Sequence, residues 1–294
     1  MITRKSFGEH IFDAANVVFM LFLVVVTLYP FLYVTAASLS DSNKLVSHSG
    51  ILLLPAGFTL DAYEAVLKNP NILTGYSNTI LIVVAGTLLN MFFTSIGAYV
   101  LSRKQVMWNT PIMLMIIFTM FFSGGLIPGY LLVYNGLHMG NSLLALIIPG
   151  LISTWNLIVM RTSFAAIPEN LIESAKIDGA SEFGILFKVV IPLSMPVISV
   201  MILFYGVGHW NSWFAAVIYL RDRHLFPLQL ILREILVLSS TDSMTTNTAG
   251  QDQFTIGESI KYATIMVATI PILLVYPFLQ KYFAHGVMVG AVKE

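Results

Sequence analysis

The chain has 294 residues, 57% of them hydrophobic and only 10% charged, where an ordinary soluble domain carries about 25% charged residues. That is too little charge to keep a soluble fold of this length dispersed, and the strongly positive mean hydropathy agrees. Lys+Arg and Asp+Glu balance at 15 each, leaving no basic excess for nucleic acid, and the lack of cysteine excludes disulfides, iron–sulfur clusters and thiolate metal sites.

A bilayer core takes about 20 apolar residues in a helix, because lipid cannot satisfy an open backbone. The uncharged runs therefore predict an all-α membrane protein with six transmembrane helices, at about 14–39, 76–101, 110–134, 142–160, 189–215 and 262–280. The first follows Arg4 and Lys5 but is longer than a secretory signal's apolar region, so it reads as an uncleaved span with Pro30 as a candidate kink. Residues 40–75 form an outer loop holding a short helical stretch, 60–67. No Lys, Arg, Asp or Glu lies between Lys104 and Arg161, and the turn-rich piece Asn135–Asn141 divides that stretch into the third and fourth helices. A connecting loop, 161–188, joins helices four and five. The last outer loop, 217–261, is the longest, and its middle, Ser239–Gln253, is almost wholly polar.

Basic residues set the orientation. Arg4, Lys5, Arg103, Lys104, Arg161, Lys176, Lys188, Lys281 and Lys293 fall on one side. Lys44, Lys68, Arg221, Arg223, Arg233 and Lys261 fall on the other, all in two long loops where the positive-inside rule is weak. Both termini are expected in the cytoplasm, and residues 1–294 are expected to form a single transmembrane domain.

The loop 161–188 carries the sharpest motif. Pro168 suits a first helical position, and Glu169 favours the positive end of the dipole. Gly179 can take the left-handed conformation that ends a helix, and Ser181 can cap the next one. Leu171, Ile172 and Ala175 are expected on one apolar face, and Pro192 and Pro196 in the first turns of helix five. A plain interfacial helix would share these features; the spacing is more specific. Glu173-Ser174-Ala175, three residues, Gly179, nine residues, Val189, one residue and Ile191-Pro192 resembles the cytoplasmic signature of binding-protein-dependent ATP-binding-cassette importer permeases. The family has Ala where Ser174 stands, Ile for Val189 and Leu for Ile191, all small or apolar exchanges.

That resemblance implies an ATPase-coupling site at Glu173, Ser174, Ala175, Asp178, Gly179 and Pro192, docking on a cytoplasmic ATPase dimer whose closure it passes to the membrane helices. It also implies a homologous second permease, an extracytoplasmic solute-binding lipoprotein and a bacterial cell-membrane location. ATP hydrolysis would belong to the partner chains, and this chain has no phosphate-binding Gly-rich loop ending in Gly-Lys-Ser or Gly-Lys-Thr. The six spans and the ending Gln280–Glu294 are similar to the smaller permease of the maltose-type carbohydrate branch, whose tail can reach the ATPase. Phe122-Ser123-Gly124-Gly125-Leu126-Ile127-Pro128 resembles permeases for complex oligosaccharides, so an oligosaccharide is the expected substrate.

Candidate pathway residues are Asn90, Trp155, Asn156, Trp210 and Asn211, since sugars stack on aromatics and bond to amides. Each has a plain alternative. Trp210 lies about 27 Å beyond Pro192 along a straight helix, at the outer interface where Trp is enriched anyway. Asn90 and Asn156 could equally bond a neighbouring helix. No charged group lies deep in any predicted span, which disfavours an ion-coupled secondary carrier. His10, His48, His138, His224 and His285 are scattered without metal-ligand spacing, so neither a metal, a cofactor nor catalytic residues are expected. The alternatives are a permease of the same class for a non-sugar solute and, from another class, an ATP-independent carrier.

Overall fold

The computed structural model describes residues 6–245, 258–275 and 277. Among these residues the regular elements are all helices, beside one isolated bridge between Ser40 and Phe58. Three helices are each long and apolar enough to cross a bilayer, and three bent pairs are so together. The chain divides into two compact units, Met1–Asn69 with Glu234–Ile270, and Pro70–Arg233 with Pro271–Glu294.

In the first unit, α1 (Phe7–Ser38) starts earlier than the apolar run, because the Ser6 amide donates to the Glu9 carboxylate at 2.7 Å and closes the first turn. Pro30 sits inside this helix without ending it. Its apolar stretch buries nothing against the described residues, as suits a helix meant for lipid or another subunit. Only its end packs: Ala36 and Ala37 are buried with Leu45 of α2 (Ser42–Ser47) and Leu52. The Ser38 hydroxyl bonds Tyr63 of α3 (Asp61–Lys68) at 2.8 Å, one residue from the predicted helical stretch. The last described helix, Glu258–Val275, begins before the predicted 262 and joins this cluster through Ser259 Oγ to Ser40 O at 3.0 Å and Tyr262 edge-on to Tyr33.

The second unit is built on α4 (Pro70–Ser102), which at 1.5 Å per residue is about 50 Å long. The third predicted span is broken. α5 (Asn109–Phe121) and α6 (Leu126–Leu131, continued by a wide π turn to Gly136) meet at 111°, because Gly124-Gly125 interrupts the helix with Gly125 at φ +86°. The fourth is broken too. α7 (Leu144–Ile147) runs through a tight turn, Ile148–Gly150, and meets α8 (Thr154–Ala165) at 50°, past Pro149-Gly150. After α9 (Glu169–Ile177) comes α10 (Glu182–Ile185), a wide turn Leu186–Val190 and α11 (Ile191–Leu193). A 91° elbow at Ser194 then leads into α12 (Met195–Trp210). Pro192 and Pro196, each lacking an N–H donor, flank that elbow. The fifth span is therefore not a straight 189–215 helix.

Broken helices leave backbone groups open, and polar side chains close them here. Asn90, fully buried in the middle of α4, donates its amide to Gly150 O and Leu151 O, both at 2.8 Å. Tyr205 of α12 accepts from Ser153 N at 3.0 Å and pairs with Thr94 of α4 at 2.8 Å. Ser153 itself caps α8.

The predicted last outer loop is substantially helical. It contains α13 (Phe214–Tyr219), a short turn at Arg223–Leu225 and α14 (Leu228–Thr245), which runs into the polar stretch predicted at 239–253. The rest of that stretch and the ending 280–294 lie outside the described residues.

Candidate functional site

The segment after α8 folds around one glycine. Gly179 has φ +78°, with its amide donating to Lys176 O and the Ala180 amide to Ala175 O, both at 3.0 Å. This paired closure satisfies the last open carbonyls of α9. A Cβ at Gly179 would meet nothing within 4 Å, so the demand for glycine comes from the backbone alone. Ser181 caps α10 by accepting from Gly184 N at 3.2 Å, as predicted. Pro168 is the capping residue of α9 rather than its first helical one.

The faces of α9 differ from the predicted pattern at one position. Ile172 is 3% exposed, locked among Phe164, Ile185, Leu186 and Val190, and Ala175 packs beside it. Leu171 is 43% exposed, because adjacent helical residues lie about 100° apart and Ile172 takes the inward direction. Glu173, Ser174, Asp178 and Gly179 are exposed, and Ile177 is 86% exposed. Pro192 is exposed on α11, just before the elbow.

Beneath α9 the C-terminal end of α4 closes a cavity of about 370 Å³, lined on one side by Tyr99, Val100, Arg103 and Lys104 and on the other by Glu169, Ile172, Glu173, Lys176 and Glu182. Glu182 is held from two directions, by Lys176 Nζ at 2.8 Å and by the Tyr99 hydroxyl, which donates to it at 2.6 Å. The Lys176 ammonium first, and the Tyr99 hydroxyl second, keep its carboxyl below the usual carboxylate range. Arg103 lies over the Tyr99 ring at 4.8 Å, and its buried Nε and Nη2 have no partner among the described residues. The carbonyls at the end of α4 are satisfied from elsewhere: Arg161 Nε donates to Leu101 O at 3.0 Å and Asn109 to Leu101 O and Arg103 O.

This helix, glycine stop and second helix lie inside residues 82–289, which match the sequence profile of the binding-protein-dependent transport system inner membrane component. The chain belongs to that family. Among its relatives, the polygalacturonan/rhamnogalacturonan transport system permease protein YtcP of Bacillus subtilis (strain 168) is 41% identical over 285 residues, 97% of this chain and 99% of that one. Protein LplC of the same organism is 41% identical over 283 residues, 96% of this chain and 95% of that one. A solved bacterial ABC transporter involved in the import of the acidic polysaccharide alginate has a chain with a TM-score of 0.84 and 30% identity, covering 96% of this chain and 99% of that one.

In this inner-membrane component the five predicted pathway residues have unlike surroundings. Asn90 is spent on helix joints, its Oδ1 lying 2.6 Å from His209 Nε2. Asn156 is buried, whereas its neighbour Trp155 is 59% exposed. Trp210 is half-buried, its ring 6.3 Å from that of Tyr76, and Asn211 is an exposed residue capping α12. The elbow also shortens the run to Trp210, which is 15 residues beyond Met195, about 22 Å. Sequence reasoning passed over Tyr99, weighed His209 only with Trp210 and Asn211 as a sugar contact, and saw Glu182 only beside the Ser181 cap. Arg103 was visible only as a basic residue closing a span, and nothing local in the sequence ties it to residue 182.

Proposed function

We propose that this chain is the permease subunit of an ABC importer for an oligosaccharide, delivered by an extracytoplasmic binding lipoprotein. The observation that carries the reading is the Gly179-stopped helix, exposed at Glu173, Ser174 and Lys176–Gly179 and anchored by Ile172, in a chain of the binding-protein-dependent family. The similarity to a polygalacturonan/rhamnogalacturonan permease and to an alginate importer supports a carbohydrate cargo.

On this reading the chain makes six crossings with both termini in the cytoplasm and forms half of the pathway with a homologous permease. It hydrolyses nothing itself. An ATPase dimer docks on Glu173, Ser174, Ala175, Asp178 and Gly179, with Pro192 at the hinge behind them. Binding protein and ATP together favour the outward-open state, and hydrolysis returns the inward-open one. Each ligand acts only through its differential affinity for the two states.

The test is uptake by proteoliposomes holding both permeases and the ATPase, with binding protein outside and ATP inside, offered oligogalacturonides and arabino-oligosaccharides. ATP-dependent uptake of one class supports the reading. Gradient-driven uptake by this chain alone contradicts it.

A further inference from the structure

The cavity under α9 is lined by a guanidinium with open hydrogen-bond donors among the described residues. Arg103 presents Nε and Nη2, the two donors on one edge of its guanidinium, buried and without a partner among the described residues. That edge is the one that grips a carboxylate with two parallel bonds. Buried donors are normally satisfied, so an open pair needs a reason. The reason is at hand in the same cavity: Glu182 sits on the far side of Tyr99, bonded to its hydroxyl at 2.6 Å, while Arg103 rests on the ring of that same tyrosine. The Lys176–Glu182 ion pair is screened by solvent, with the two side chains 44% and 59% exposed, so it holds Glu182 only weakly.

We propose that Glu182 exchanges between two partners during transport, Tyr99 with Lys176 in the arrangement described and Arg103 in a second one. Arg103 is then a positioning residue that holds the α9–α10 segment against the end of α4 in that second state. The exchange rests on the coupling reading above. It supplies what such a reading otherwise lacks, a joint with two discrete arrangements that the ATPase and the membrane helices can both bias. Tyr99 is the pivot, since it touches both partners, and Ile172 keeps α9 seated in the core while the charged rim rearranges.

The experiment uses the assembled importer. Because the chain has no cysteine, spin labels can be placed at Lys104→Cys and Phe183→Cys, neighbours of the two groups, without background in this chain. Electron–electron distances are measured without nucleotide and trapped with ATP, in the parent, Arg103→Gln, Arg103→Lys and Glu182→Gln. The expected result is two distances across nucleotide states in the parent and one in Arg103→Gln and Glu182→Gln. Sugar moved per ATP should fall about five-fold or more in those two variants, the lower end of typical coupling effects, and recover partly in Arg103→Lys. The ATPase should stay bound in all of them. A parent with a single distance in every state, or an Arg103→Gln variant that keeps both, overturns the exchange. Loss of the ATPase from the parent complex removes the coupling reading itself, an outcome separately visible on purification.

Discussion

His209 Nε2 lies 2.6 Å from Asn90 Oδ1, so the side chain that donates to both open carbonyls of the α7–α8 break is itself gripped from α12. The α7–α8 break, α12 and α4, which carries Asn90, meet at this amide. Asn90→Ala leaves Gly150 O and Leu151 O without that donor and the imidazole without its acceptor. Each buried group left unsatisfied costs about 1–3 kcal/mol. The melting temperature of the purified complex in nanodiscs should drop while the order of preference among sugars stays the same. An unchanged melting temperature with altered preference would instead make Asn90 a pathway residue.

The same joint constrains Gly86. A Cβ there would sit 2.5 Å from His209 Nε2 and within 3 Å of two ring carbons. Gly86→Ala should therefore push α4 and α12 apart and destabilise by about 1–3 kcal/mol, the range for overpacking. Gly206→Ala, whose Cβ would lie 3.8 Å from its nearest contact, Thr87 Oγ1, is the control on α12 and should melt close to the parent.

Ile172 is the inward anchor of α9. Ile172→Ala should destabilise by about 2–5 kcal/mol as a large-to-small core change and should loosen the ATPase on purification. Leu171→Ala, on a residue more than a third exposed, should leave the melting temperature within error. Equal effects from the two would mean that α9 is seated differently from the arrangement described.

Much of the molecule was legible from local chemistry. Uncharged runs located the membrane helices, and the chemistry of Gly179 and Ser181 set the stop and restart after α9, because caps and positive φ are decided within a few residues. The breaks were harder to read. Gly124-Gly125, Pro149-Gly150 and Pro192 with Pro196 are visible in the sequence, but whether such residues bend a helix by 50° or 111° depends on what lies behind them to close the freed carbonyls. For the α7–α8 break Asn90 closes two carbonyls from 60 and 61 residues away, and Tyr205 accepts from the Ser153 amide from 52 residues away. Pro30 shows the converse, a proline carried within an unbroken helix. The Tyr99–Glu182 contact is equally non-local. The polar stretch at 239–253 misled because its first residues extend α14, whose apolar start at Leu228 pulls the helix onward.

The central claim is that the segment Glu173–Gly179 passes ATPase closure to the membrane, and Gly179→Val tests it most directly. An added Cβ meets no atom within 4 Å, so the main effect comes from forcing φ away from +78°; a branched residue held there costs about 1–3 kcal/mol of strain. Gly50→Val is the matched control, with φ +125° and equally open space. Gly140 is unsuitable for that purpose, because a Cβ there would overlap the Tyr134 ring. The measurement is sugar taken up per ATP hydrolysed in reconstituted importer, alongside the ATPase retained. The account predicts that Gly179→Val keeps the complex in the membrane but loses most of its uptake and its binding-protein stimulation, while Gly50→Val transports like the parent. Parent-like uptake and stimulation in Gly179→Val would contradict it.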